Sequence, residues 1–360
     1  MLRRIPALLA LFFVAACSSP ETTTTTAPPT TVATTTTTKA TTTTTTTSTT
    51  TTTTIPPVGY SDVNGLPVYD EELLDRRVLM VKIDNSRPAQ PQSGIDLADA
   101  MAEVLVEDRT TRFIAMFHYS DAEYIGPIRS LRPADLQIAT ALNATMVNTG
   151  AQPWVTSMAV ARNVPRVTFH DSIMYRIPER NLPHNVYGST LDFRNFADAR
   201  GQPDEPPTPW LPFGEWPLPP DPAMTVTLTW VRGFNMVEWR YNSATRAYER
   251  WFRGDYQEWV DQKGERSRID AEVLVVISGR FYIAHAPTDA SGSRTPVPAI
   301  DTVGSGEAWV FSRGRAWEGT WQRSNEREPF QLFDESGHAA TVPPGKLWVS
   351  LLPNELVAYE

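Results

Sequence analysis

The chain holds one cysteine, Cys17, in 360 residues, so no disulfide can form within it and stability has to come from core burial. It has no apolar run long enough to span a bilayer, which takes about 20 residues. Lysine is scarce, four of 32 basic residues, and the net charge is −9. A surface this acidic argues against nucleic acid as a partner, because the broad basic patch that would neutralise phosphates is missing. The five histidines show no ligand spacing and no second cysteine supports them, so no metal site and no cofactor are expected. The G-x-S-x-G and S-x-x-K signals of common serine hydrolases are absent too.

What is present begins at the amino end. Arg3 and Arg4 precede an apolar stretch from Ile5 to Ala16, which is of signal-peptide length. It closes on Val14-Ala15-Ala16-Cys17, small residues directly before the only cysteine. The pattern resembles a lipobox, and the expectation is a signal over residues 1–17 with Cys17 acylated. Several acyl chains would hold the protein firmly at the outer face of the cell membrane, where one alone holds marginally. Residues 18–58 are nearly all Thr with Pro, Ala and Val, too poor in large apolar groups to form a core. This segment reads as a disordered stalk, either glycosylated or bare. A flexible chain of about 40 residues spans roughly 35 Å, and full polyproline-like extension gives about 120 Å.

Beyond the stalk the pattern predicts an α+β protein. Residues 59–201 alternate strands and helices, as in an α/β domain. Arg77–Asp84, Phe113–Tyr119 and Ala144–Asn148 read as strands; Asp96–Glu103 reads as a helix, and so does Pro133–Leu142, beginning near Arg132. Residues 202–222 are dense in proline and predict a linker, with Trp210 and Trp216 expected to pack on a domain. In residues 223–360 short strands recur between turn signals such as Arg232-Gly233, Arg253-Gly254 and Ser336-Gly337. They predict an all-β domain, a sandwich or partly open barrel. Gly304-Ser305-Gly306 is expected to be a turn between strands.

Ordered motifs along the whole folded part resemble the YerB-like lipoproteins, the family known as domain of unknown function 3048, with an N-terminal and a C-terminal section. In the first section they include Ile83-Asp84-Asn85, Pro91-Gln92-Ser93-Gly94, Thr111-Arg112-Phe113, Gly126-Pro127-Ile128-Arg129-Ser130-Leu131-Arg132 and Pro183-His184-Asn185. In the second they include Trp239-Arg240-Tyr241, Gly319-Thr320-Trp321 and Pro344-Gly345. One departure is visible: the family usually runs Glu-Gly-Gly where this chain has Glu107-Asp108-Arg109. The resemblance implies a lipoprotein and implies no known reaction.

The chemistry the residues could support centres on Arg129, Ser130 and Arg132, just before the helix that opens at Pro133. Free N–H groups and partial positive charge at a helix start favour anions, and guanidiniums recognise phosphate or carboxylate. Arg112, Arg176, Arg180, His184 and Asn185 are expected to converge there from other loops. The opposing reading is a structural network in which Glu103, Glu107 or Asp135 neutralise the arginines. Three functions stay open. The leading one is an envelope lipoprotein gripping an anionic small molecule or cell-wall polymer. The second is an envelope enzyme acting on a phosphate-linked or glycan substrate, and the third an interaction scaffold using the β domain. Oligomeric state is not legible.

Overall fold

The computed structural model describes residues 56–290 and 292–360 of the protein. The expected signal, Cys17 and the stalk up to residue 55 lie outside these residues. Among the described residues no helix is long and apolar enough to cross a membrane.

The fold is α+β and mostly strand. In the first section come α1 (Glu71–Asp75), β1 (Leu79–Asp84), β2 (Ala100–Leu105), β3 (Thr111–Phe117), α2 (Pro133–Ala141), β4 (Thr145–Asn148), α3 (Pro153–Ala161), β5 (Arg166–Thr168) and α4 (Thr190–Asp198). In the second come β6 (Thr225–Val231), β7 (Asn235–Asn242), β8 (Ala247–Phe252), β9 (Val273–Ser278), β10 (Gly304–Ser312), β11 (Arg315–Arg323), β12 (Leu347–Leu352) and β13 (Val357–Tyr359). One large sheet runs β11–β10–β9–β12–β2–β3–β1–β4–β5, with two short strands beyond β11. Strands of both sections therefore lie in it, joined where β12 pairs in parallel with β9 on one side and β2 on the other.

Burial follows from that order. β1, β9 and β12 are buried along their whole length, as near-continuous apolar runs in the middle of a sheet require. One face carries α2 and α3, with Leu136, Ile138 and Val155 packed against Val104, Ile114 and Val275. The other face carries a second sheet in the order β8–β7–β6–β13. There Val226, Leu228 and Trp230 alternate inward along β6 and join Trp239, Phe113 and Trp348 in one core.

Two expected elements differ. The stretch read as a helix over Asp96–Glu103 is a single 3-10 turn, Ile95–Leu97, followed by β2. The Asp99 carboxylate accepts from the backbone amides of His118 and Tyr119 at 2.5 and 3.0 Å, which pins the chain as it enters the sheet. A short apolar run has no decisive period, and pairing between β12 and β3 settles it as strand. Gly304-Ser305-Gly306 opens β10 instead of forming a turn. A Cβ on Gly306 would lie 2.7 Å from the Trp321 ring nitrogen, which donates to the Ser278 carbonyl at 2.7 Å; here glycine serves close approach.

Candidate functional site

The segment before α2 is laid across the ends of two parallel strands. The Arg129 amide donates to the Lys82 carbonyl at 2.8 Å, and the Thr149 and Leu131 amides bond to Arg129 and Gly150 carbonyls at 3.0 and 2.9 Å. This places Arg129–Arg132 at the carboxyl ends of β1 and β4, the edge where open α/β sheets take their ligands. Arg112 lies opposite Asp84 in the β1–β3 register, so its side chain shares their face of the sheet.

Four of the expected residues meet there. Asp84, almost fully buried, sits 3.0 Å from Arg129 Nε and 2.7 Å from His184 Nδ1. Burial alone would raise its carboxyl, but the Ser86 amide, Arg129 and His184 outweigh that and hold it below the ordinary value. Arg132 Nε lies 2.6 and 2.9 Å from the two Glu107 oxygens. Arg112 is buried, donates to the Ser130 carbonyl at 3.0 Å and has no carboxylate in contact among the described residues. Burial, then repulsion from Arg132 and Arg129, pushes its guanidinium down to about 10. Two carboxylates thus answer three guanidiniums. Glu103 takes no part: it binds Thr111 and Arg250 at 2.6 and 2.7 Å on the opposite face.

The remaining expected residues make contacts of their own, and neither Arg176 nor Arg180 touches the three guanidiniums or their two carboxylates among the described residues. Ser130 supplies its carbonyl to Arg112. Arg176 donates to the Asn185 side chain at 2.8 Å, which places that pair beside His184. Arg180 reaches the Pro88 and Pro91 carbonyls at 3.2 and 2.5 Å, clamping the loop after β1. The start of α2 is already occupied by the protein's own carboxylate: Asp135 accepts from the Arg132 amide at 2.7 Å and from Lys82 at 2.5 Å. The helix end is therefore not free for a ligand, and the charge surplus sits on Arg112.

Ser86, His184 and Asp84 invite comparison with a hydrolytic triad. Ser86 Oγ is 3.2 Å and Asp84 Oδ2 2.7 Å from the same ring nitrogen, Nδ1. A relay needs the carboxylate on one nitrogen and the hydroxyl on the other. This arrangement orients the imidazole and does not activate Ser86.

A cleft of about 890 Å³ opens at the same end of the sheet but on its other face, reached by Asn85 and Thr111. None of Arg112, Arg129, Arg132 or His184 lines it. Its floor includes Arg250, which belongs with Tyr248 to the motifs of the family resemblance but was not among the expected site residues. The signal was there: in β8 it shares the inward register of Tyr248, so a charge falls where an apolar residue is expected.

Comparison with known proteins identifies the family and the fold. The model described as protein of unknown function (DUF3048), N-terminal domain, matches residues 63–203, and that of the C-terminal domain matches residues 226–349. The chain is 25% identical over 291 residues to the protein titled "Putative lipoprotein YerB" from Bacillus subtilis (strain 168), spanning 79% of this chain and 84% of that one. The crystal structure of the YerB protein from Bacillus subtilis superposes with a TM-score of 0.69 at 23% identity, over 84% of this chain and 99% of that chain. At that identity the likeness establishes the fold.

Proposed function

The chain belongs to the DUF3048 family of proteins of unknown function, and on that footing we propose that it is a lipid-anchored protein of the cell envelope that binds an anionic group at the Arg112–Arg129–Arg132 cluster. The group is a small molecule or one unit of a cell-wall polymer. The observation that carries this reading is Arg112, a buried guanidinium among two others with only a backbone carbonyl as partner. An anion there would offset the burial and the repulsion that together depress it.

Thermal unfolding at low salt tests the reading. A ligand that binds only the folded state stabilises it by about 2.7 kcal/mol at a hundredfold excess over its Kd. Pyrophosphate or phosphate should raise the Tm of the parent, and Arg112→Gln should abolish the rise without lowering the basal Tm. If no anion raises the parent's Tm and Arg112→Gln destabilises the protein, the cluster is a structural network.

The anchor has its own test. Cys17→Ala should move the protein from the membrane pellet to the soluble or medium fraction, because acylation there is the proposed hold on the bilayer. A variant that still pellets and resists salt washing would refute the anchor.

A further inference from the structure

The cleft on the other face of the sheet carries its own unmet hydrogen-bonding chemistry. Arg250 is 1% exposed and spends one nitrogen, Nη2, on Glu103; its guanidinium lies 5.1–5.7 Å from the Phe113, Trp348 and Trp239 ring centroids, and among the described residues its Nε and Nη1 have no hydrogen-bond partner. Beside it on the lining, the side-chain oxygens of Asn235 and Gln257, both more than nine-tenths buried, also lack partners. Unpaired donors and unpaired acceptors therefore lie in one wall, and each such group costs stability unless something answers it.

We infer that this cleft is a binding site for a neutral oligosaccharide. A phosphate or carboxylate, which only accepts, would suit Arg250 but meet the Asn235 and Gln257 oxygens and the carboxylates Asp108, Asp255 and Glu258. An ammonium group, which only donates, would meet Arg250 and the rim cations Arg87, Arg109 and Arg253. A hydroxyl donates and accepts at one atom, so it answers both kinds of orphan. The same lining offers aromatic rings for the C–H faces of a sugar: Phe234 is 55% and Tyr256 44% exposed, with Phe252 between the floor and the rim. Arg109 lies 3.9 Å over the Phe234 ring, holding it in place. A second hollow of about 500 Å³ shares Phe234 and Arg253 with the cleft, so the lining continues far enough for several units in a row. Peptide amides also pair donors with acceptors. Peptides are usually taken up on a free sheet edge or in apolar grooves, whereas the orphan groups here belong to side chains among exposed rings.

The site stands apart from the arginine cluster, and the test keeps the two separate. The full chain, purified in detergent, is applied to an array of neutral oligosaccharides and of end-blocked peptides, and hits are titrated calorimetrically. Expected is binding to oligosaccharides that weakens about tenfold in both Phe234→Ala and Gln257→Leu. Gln257→Leu should keep the parent Tm, since the Gln257 oxygen has no partner to lose, and Phe234→Ala, which gives up its exposed contact with Arg109, should lower it by a few degrees at most. Arg129→Ala should leave sugar affinity unchanged. Binding to peptides in place of sugars, sugar binding indifferent to both cleft substitutions, or no binding to any member of the array would overturn the proposal.

Discussion

His118 shows how much a single buried group can impose. It is fully buried; its Nε2 lies 2.8 Å from the Leu74 carbonyl, and the Ser61 hydroxyl lies 2.8 Å from Nδ1. Nε2 has to carry a proton to donate to that carbonyl, while Nδ1 accepts from the Ser61 hydroxyl in the neutral ring and would donate to its oxygen in the charged one. Burial, opposed by the bond to Leu74 and helped by Arg76 and Arg194, pushes the imidazole down to about 4. The unfolded chain takes up a proton near pH 6.5 and the folded one near 4, so stability is full above that window and falls as pH drops through it. Between pH 7 and 5 the loss should be about 2 kcal/mol in urea unfolding. In His118→Asn the slope over that range should vanish; a parent that is flat from pH 7 to 5 would contradict this account. Nothing in the sequence marked this histidine, because its partners are 57 and 44 residues away. Asp108 and Arg109 were legible only in part. Their departure from the family's double glycine was visible, and the structure gives both a left-handed φ, 59° and 57°. The glycine conformation survives without glycine, at a cost of roughly 1–2 kcal/mol per residue. What Arg109 gains there is its place over Phe234 on the cleft wall.

At the scale of elements, β1 and α2 are tied by one ion pair. Lys82 and Asp135 are both fully buried and 2.5 Å apart. Burial pushes the Lys82 ammonium down to about 8, opposed chiefly by Asp135. Asp135 also caps its own helix through the Arg132 amide. Asp135→Ala strands a buried ammonium and should lower unfolding free energy by about 3–5 kcal/mol, whereas Lys82→Met with Asp135→Leu should recover most of the loss. A double variant no better than the single one would show that the helix cap, and not the stranded charge, dominates. The sequence placed β1 and α2 correctly because each has a strong local signature: an apolar run with a β-branched core, and proline at the first helical position. Their partnership was hidden, since nothing local links residues 53 apart. The same distinction explains the misread stretch at Asp96–Glu103. Its apolar spacing suited a helix, and only strands from elsewhere in the chain make it β2.

At the scale of the molecule, composition and topology divide the chain differently. The change from mixed elements to strands alone falls at the proline-rich stretch, and the two family-model matches end and begin on either side of it, at residues 203 and 226. The large sheet crosses that boundary. β12, close to the carboxyl end, inserts between β9 and β2 with Val349 level with Val275 and Ala102, all three fully buried. The proline-rich stretch is itself fastened to both sections. Trp210 is fully buried, donates from its ring to the Val63 carbonyl at 3.1 Å and accepts at its own carbonyl from the Phe330 amide at 2.9 Å. Separating the sections would expose the middle of a sheet, with its unpaired backbone groups as well as its apolar faces. The prediction is one unfolding transition for both. Hydrogen exchange should report the same opening free energy for amides in β1 and in β10, and a protease site placed after the exposed Glu205 should give two fragments that stay together until the whole unfolds. Two resolved transitions, or fragments that part and each keep their strands, would show that the β2–β12 pairing is an interface between independent domains. Pairing across some 250 residues of sequence closes late and slowly. Refolding should therefore be limited by the insertion of β12, and weakening that strand by Val349→Ala should slow folding as well as speed unfolding; a folding rate left unchanged would place the insertion after the barrier.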